Sequence, residues 1–194
     1  MKTPQNWQLL DSEYLFRYPW LTARRDHVRL PSGVEIPEYF VLEYPDWCNI
    51  IAITHSGQMI IEQQYRHAQG RVGYELPAGV IENGETPLEA ARRELYEETG
   101  YGHGQWSHFM TISPNPGNCN NYSHTFLAIG VEPVSCQHLE QTEDISFSLW
   151  EPEQVKDLLL QDGFSQALMV APLWKYFYQI DLHSHLPQKK NSTN

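Results

Sequence analysis

Long hydrophobic runs are missing from this sequence. Runs such as IIAI at residues 50–53 fall far short of the roughly 20 apolar residues that a bilayer-crossing helix needs. The opening MKTPQNWQLLDSEYLF has no apolar core of signal-peptide length. No membrane partner is therefore expected, and cytoplasmic residence is the default. Positive charge is also scarce: 13 Lys and Arg against 24 Asp and Glu give a formal net charge of −11. That argues against nucleic acid as a partner, because a general grip on phosphates needs a basic surface to displace counterions. An anionic ligand would need a local cation. Only three cysteines occur, Cys48, Cys119 and Cys136, widely spaced and in no CxxC pattern. Neither a disulfide framework nor a zinc site follows from them, and free thiols in a reducing compartment are expected. Internal repeats and low-complexity linkers are absent as well.

What is present is enough for one well-buried domain: 194 residues, 41% hydrophobic and 12% aromatic. HVRL and EIPEYFVLEY, split by the turn signal PSG, predict a hairpin, so residues 1–45 are read as an N-terminal β-ribbon sub-domain. NIIAIT and QMIIEQQY, joined by HSG, predict a second hairpin of buried strands, with YELP a short strand after it. SHTFLAIGVEP and SFSLWEP read as strands. EPEQVKDLLLQDG, closed by Gly163, and SQALMVAPLWKYFYQI read as helices. The order is mixed, α/β or α+β, with a main domain over 46–183 and a solvated tail over 184–194.

Between these elements lies GVIENGETPLEAARRELYEETGY, residues 79–101. Thr86 at an N-cap, Pro87 at the first helical position and Glu89 at N3 form a capping-box signature, which predicts a helix from there to Thr99 with Gly100 closing it. At about 100° per residue, Glu94, Glu97 and Glu98 share one face, and Leu88, Ala91 and Leu95 form the adjoining apolar stripe. Arg92 and Arg93 project elsewhere on the wheel. Like charges at i and i+4 repel, so the face invites a cation, and clustered carboxylates suit hard divalent ions. A solvated acidic helix face fits the same residues.

The spacing Gly79, five residues, Glu85, seven residues, then Arg93-Glu94-Leu95-Tyr96-Glu97-Glu98-Thr99-Gly100-Tyr101 resembles the Nudix box of Nudix hydrolases; Tyr101, where an aliphatic residue is usual, is the one departure. The resemblance implies an α/β/α sandwich with a mixed central sheet, and hydrolysis of a nucleoside diphosphate linked to another moiety. Residue by residue, it implies Mg²⁺, or Mn²⁺, held by Glu94, Glu97, Glu98 and the backbone oxygen of Ala78 or Gly79. Arg93 and Glu85 would orient these ligands.

QQYRHAQGRVGYELPAG further resembles the entry strand and loop of ADP-ribose pyrophosphatases and implies that Arg66 meets substrate. Pro116, sixteen residues after Gly100, resembles a mark of the same subgroup. An acidic loop ahead of the later strand implies a water-activating glutamate, Glu143 or else Glu140. The N-terminal ribbon resembles a segment exchanged across a homodimer, with Trp20 and Tyr39 as an adenine clamp; core or dimer packing is the other reading for both. Arg24 and Arg25 fit phosphate contacts or surface ion pairs equally well. The resemblance therefore implies cleavage of ADP-ribose to AMP and ribose 5-phosphate. GDP-mannose, NADH or a dinucleoside polyphosphate are alternative substrates, and a non-catalytic nucleotide-sugar sensor is the alternative of another class. His103, His108 and His124 receive no role.

Overall fold

Ile50 to Ile53 read as a continuous apolar run because the strand that carries them is covered on both faces. In a computed structural model that describes residues 3–185, the chain divides into two units. One holds the chain up to Asp46 together with Ile112–Ser123; the other holds Trp47–Thr111 and the chain from His124 onward.

The first unit is an antiparallel sheet of β1 (Gln8–Tyr18), β2 (Leu21–Arg29) and β3 (Glu35–Glu43) in that order. The expected hairpin is β2–β3, turning through Gly33 in the left-handed region (φ 88°). β1 has no counterpart in the sequence reading. Its residues are nearly all exposed, so no apolar alternation marks it. Asp26 is buried on this sheet and accepts from Ser12 Oγ at 2.6 Å and Arg24 Nε at 3.1 Å. Arg24 also meets Glu43, and Arg25 meets Glu13 and Glu38. Both arginines are thus held in ion pairs within the ribbon. The segment Ile112–Ser123 belongs here through backbone bonds of Leu42 N to Asn118 O (2.7 Å) and Asn120 N to Leu42 O (3.3 Å).

The second unit is built on β4 (Trp47–Thr54) and β5 (Met59–Arg66), the hairpin that NIIAIT and QMIIEQQY predict. β6 (Arg71–Glu75) pairs with β5, and β7 (Ala78–Val80) pairs with β4. Then come helix α1 (Pro87–Thr99), β8 (Tyr101–Gly102), β9 (Gln105–Ile112), β10 (Ser123–Pro133), β11 (Ile145–Trp150), α2 (Pro152–Leu160) and α3 (Ala167–His185). The eight strands form one mixed sheet with the path β11-β5-β4-β10-β8, to which β6, β7 and β9 attach. β9, in which polar and partly exposed apolar residues mix, is also absent from the sequence reading, as are the short β7 and β8.

Strand alternation sorts the core. Ile50, Ala52 and Ile60 pack with Ala90, Ala91 and Leu95 of α1. Ile51, Ile53, Met59 and Ile61 pack with Val155 and Leu159 of α2 and Leu173 and Phe177 of α3. Helices on both faces of a mixed sheet are the expected α/β/α sandwich.

Local chemistry explains two further details. Pro172 lies inside α3 and has no N–H, so the carbonyl of Leu168 lacks its helical donor. The buried Asn49 amide fills that gap, donating to Leu168 O at 2.6 Å, while its oxygen accepts from Thr125 Oγ1 at 2.6 Å. At the end of α2 the left-handed residue is Asp162 (φ 57°), not Gly163. Gly163 instead permits close approach, since a Cβ there would stand 2.2 Å from Leu158 Cδ1. The expected tail lies outside the described residues from 186 onward, and α3 itself runs to His185.

Candidate active site

Helix α1 starts as its capping box predicts. Thr86 accepts from Glu89 N, Glu89 accepts from Thr86 N at 2.8 Å, and Gly100 closes the helix at φ 72°. Its apolar stripe fixes the rotation about its axis, and that rotation sets Glu94 and Glu98 against β7. Pairing of Cys48 with Gly79 and of Asn49 with Ala78 holds β7 on β4.

Glu98 Oε2 accepts from Ala78 N at 2.9 Å. Glu94 lies over Gly79 so closely that a Cβ there would stand 1.9 Å from Glu94 Oε1. Only glycine leaves room for that carboxylate. Arg93 does not project away as the wheel implies; its long side chain turns back. It forks onto Glu85 (2.8 and 2.9 Å), donates to Val80 O at 2.9 Å, and reaches Glu94 Oε1 at 2.9 Å and Glu97 Oε2 at 3.1 Å. One cation thus ties together the loop, the strand and two of the three glutamates.

Glu94 and Glu98 are buried, and Glu97 is half-exposed. Burial pushes the Glu94 carboxyl up to about 7 against the pull of Arg93. Burial first, then the charges of Glu62 and Glu94, push Glu98 well above the ordinary carboxylate range, with the Ala78 N–H opposing. Glu62 on β5 is only 3% exposed, leaves Oε1 without a partner, and is raised by burial and by its cross-strand neighbour Glu75. Its place was legible: the alternation that turns Ile60 toward α1 turns Glu62 there too, an acid inside a buried run.

Arg66 forks onto Glu75 at 2.8 and 2.5 Å across β5 and β6. It is therefore engaged with this acidic group rather than standing free on a hairpin. Glu143 accepts from Glu140 N at 2.9 Å, and its charge helps raise Glu62, Glu94 and Glu98. Trp20, 73% exposed at the β1–β2 turn, Tyr39 and Pro116 belong to the other unit. There Tyr39 donates its hydroxyl to Gly117 O and packs edge-on against Trp7 at 5.9 Å. His108 and His124 share Thr111 Oγ1 (2.8 and 3.2 Å), and His103 pairs with Glu132.

The donor set suits a hard divalent cation: three carboxylates, two of them buried, beside a strand backbone. Among the described residues no three His, Cys, Asp or Glu side chains already stand as a metal cage. The carboxylates are turned instead to the nearest donors, Arg93 and Ala78 N.

These raised carboxyls carry a stability consequence with a definite sign. A folded-state value above the ordinary 4.5 means that folding takes up protons. The associated stability is full below about pH 4.5 and is lost as pH rises through about 7, so without metal the thermal midpoint should fall between about pH 5 and about pH 8. Thermal scans in EDTA check this. A midpoint that rises over that window contradicts it, and added Mg²⁺ should flatten the slope.

Residues 48–170 match the NUDIX domain family model, and residues 7–42 match that of the nucleoside diphosphate sugar hydrolase N-terminal domain. The chain is 31% identical over 148 residues to the ADP-ribose pyrophosphatase of Mycobacterium tuberculosis, covering 76% of this chain and 71% of that protein. It is also 31% identical over 122 residues to the methanol dehydrogenase activator of Bacillus methanolicus, covering 63% of this chain and 65% of that protein. The chain thus spans a little under two thirds of one relative and somewhat more of the other. A crystal structure of an ADP compounds hydrolase superposes with a TM-score of 0.82 at 22% identity, covering 96% of this chain and all of that one, which shows a shared fold. With Gly79, Glu85, Arg93, Glu94, Glu97 and Glu98 interlocked as described, the chain belongs to the NUDIX family.

Proposed function

We propose that this chain hydrolyses the diphosphate of ADP-ribose or a related nucleoside diphosphate sugar, giving a nucleoside monophosphate and a sugar phosphate. The observation that carries the reading is the carboxylate group on α1, with Glu94 and Glu98 buried, set against Ala78 and Gly79, and with Arg93 shared between Glu94 and Glu97. Nudix hydrolases generally use divalent metal ions. Here Glu94, Glu97, Glu98 and the Ala78 carbonyl would hold Mg²⁺ or Mn²⁺, whose chemistry is to neutralise the diphosphate, polarise phosphorus and acidify water.

The chain's own residues do the rest. Arg93 keeps Glu94 and Glu97 oriented while its fork onto Glu85 anchors it. Glu143 takes the proton of the attacking water as one oxygen–phosphorus bond forms and one bridging bond breaks. Arg66, whose Nη1 is not used by Glu75, meets a phosphate or ribose. Trp20 and Tyr39 stack on adenine, and Pro116 shapes the adjoining loop. The named activity of the mycobacterial relative and the N-terminal family match support the substrate class. Exposed Trp7, Leu9, Phe16, Tyr18 and Leu21 support a homodimer through the ribbon. Three free thiols suit the cytoplasm.

A screen for AMP or phosphate release tests this reading, using ADP-ribose, ADP-glucose, GDP-mannose, NADH and diadenosine polyphosphates with Mg²⁺ and Mn²⁺. Turnover of ADP-ribose above the others supports it. Preference for another compound moves the substrate, and turnover of none favours a sensor. If Trp20 stacks on adenine, Trp20→Ala should raise the KM for ADP-ribose roughly tenfold, the value of one stacking contact. An unchanged KM removes Trp20 from the site.

A further inference from the structure

The last carbonyls of a helix have no partner within it. In α1 they are met by the segment Val134–His138. Glu97 O accepts from His138 N at 2.7 Å, and Gly100 O accepts from Val134 N at 2.9 Å and Ser135 N at 3.0 Å. Glu98 O is met by a side chain, Gln137 Nε2, at 2.7 Å. The same nitrogen donates to Ile145 O at 3.0 Å.

A primary amide nitrogen has two hydrogens, and both are used here. One fastens the backbone of Glu98, whose carboxylate lies in the site. The other fastens the first residue of β11, two positions after Glu143. Between them, Glu143 N donates to Glu140 O at 3.1 Å and Glu143 Oε2 accepts from Glu140 N at 2.9 Å, so the acidic loop turns back on itself just before the clamped residue. Backbone donors already cap the neighbouring carbonyls, so the half-buried Gln137 is not needed to end the helix. What it adds is a link between α1, which carries Glu98, and the strand that the Glu143 loop leads into.

We propose that Gln137 is a positioning residue: its amide ties the Glu98 end of α1 to the start of β11 and so fixes the spacing of the Glu98 and Glu143 carboxylates. This rests on the hydrolase reading above. Gln137 touches no reacting atom; it acts through the two glutamates.

Gln137→Met keeps the length and volume and removes both donors. Gln137→Glu keeps the shape and turns oxygens toward two carbonyls. Both should lower kcat for the best substrate of the screen by roughly 10–100-fold, the usual effect of removing a partner that orients ligands. KM should stay within about threefold, and in a Glu143→Gln background Gln137→Met should cost less than about threefold more, because the base it positions is gone. A helix cap with no role at the site would instead give equal losses in both backgrounds. That result, or a folded Gln137→Met with wild-type kcat, overturns the proposal; Gln137→Met alone decides if Gln137→Glu fails to fold.

A wild-type chain that hydrolyses none of the panel defeats the hydrolase reading, and Mn²⁺ binding by calorimetry then decides. Affinity weakened about fivefold or more in Gln137→Met upholds the clamp; unchanged affinity overturns it.

Discussion

Glu98→Gln is expected to lower kcat by about 10²–10⁴-fold while the fold stays intact, and Glu97→Gln to act in the same direction. The magnitude follows from the several kcal/mol, about 3 to 5, that a bound cation contributes at a phosphoryl centre. The stability side separates lost chemistry from lost structure. Glutamine at 98 still offers an oxygen to Ala78 N, and it removes a buried charge from beside Glu62 and Glu94. In metal-free buffer the variant should therefore melt at or above the wild-type temperature, even as activity collapses. Glu97 is half-exposed and shares Arg93, so its loss should leave the melting temperature nearly unchanged. Steady-state kinetics with ADP-ribose, paired with thermal scans, make the check. Wild-type turnover in either variant would sink the metal-site assignment.

Gly100→Ala should be the most destabilising single methyl addition around α1. The residue is left-handed at φ 72°, and a new Cβ would stand 2.4 Å from Ser135 O and 2.9 Å from Cys136 C, both backbone atoms. Strain of about 1–2 kcal/mol from the backbone angle adds to about 1–3 kcal/mol from overpacking. For a chain of this size that is a fall in the thermal midpoint of roughly 5–15 °C. The displaced Ser135 and Cys136 precede Gln137, so kcat should fall as well. A midpoint within about 2 °C of wild type, judged against the same size scaling, would show that the segment yields freely.

How much of this was written in the sequence depends on whether burial left a periodic trace. α1 was legible to the residue, because its cap, apolar stripe and closing glycine all obey local rules. β4 and β5 were legible as apolar runs between turn signals. β1 and β9 were not, because neither buries a clear face. In the site, the helical wheel grouped Glu94, Glu97 and Glu98 correctly, but it gives the direction of Cβ and not the end of a long side chain. The wheel alone therefore misses the return of Arg93 onto two of those glutamates, whereas the resemblance implies it by giving Arg93 and Glu85 an orienting role. Glu62 is not assigned in the sequence reading, which takes its strand as buried without carrying the alternation from Ile60 on to Glu62 and so to the face toward α1. Gln137 lies in a loop, where spacing carries no geometry at all. Nor does spacing reveal that Arg66 spends its fork on Glu75.

The segment Ile112–Ser123 has a bearing on engineering. It is covalently flanked by β9 and β10 of the larger unit, yet it bonds with the ribbon: Leu42 with Asn118 and Asn120, Asn121 Nδ2 with Pro45 O, and Tyr122 N with Asp46. The chain therefore passes between its two units three times, and the ribbon is not a portable N-terminal module. A chimaera that grafts a foreign ribbon up to residue 46 would leave the native 112–123 facing a sequence it was not matched to. Exchanging the ribbon between relatives thus calls for a discontinuous graft, with both pieces exchanged at once.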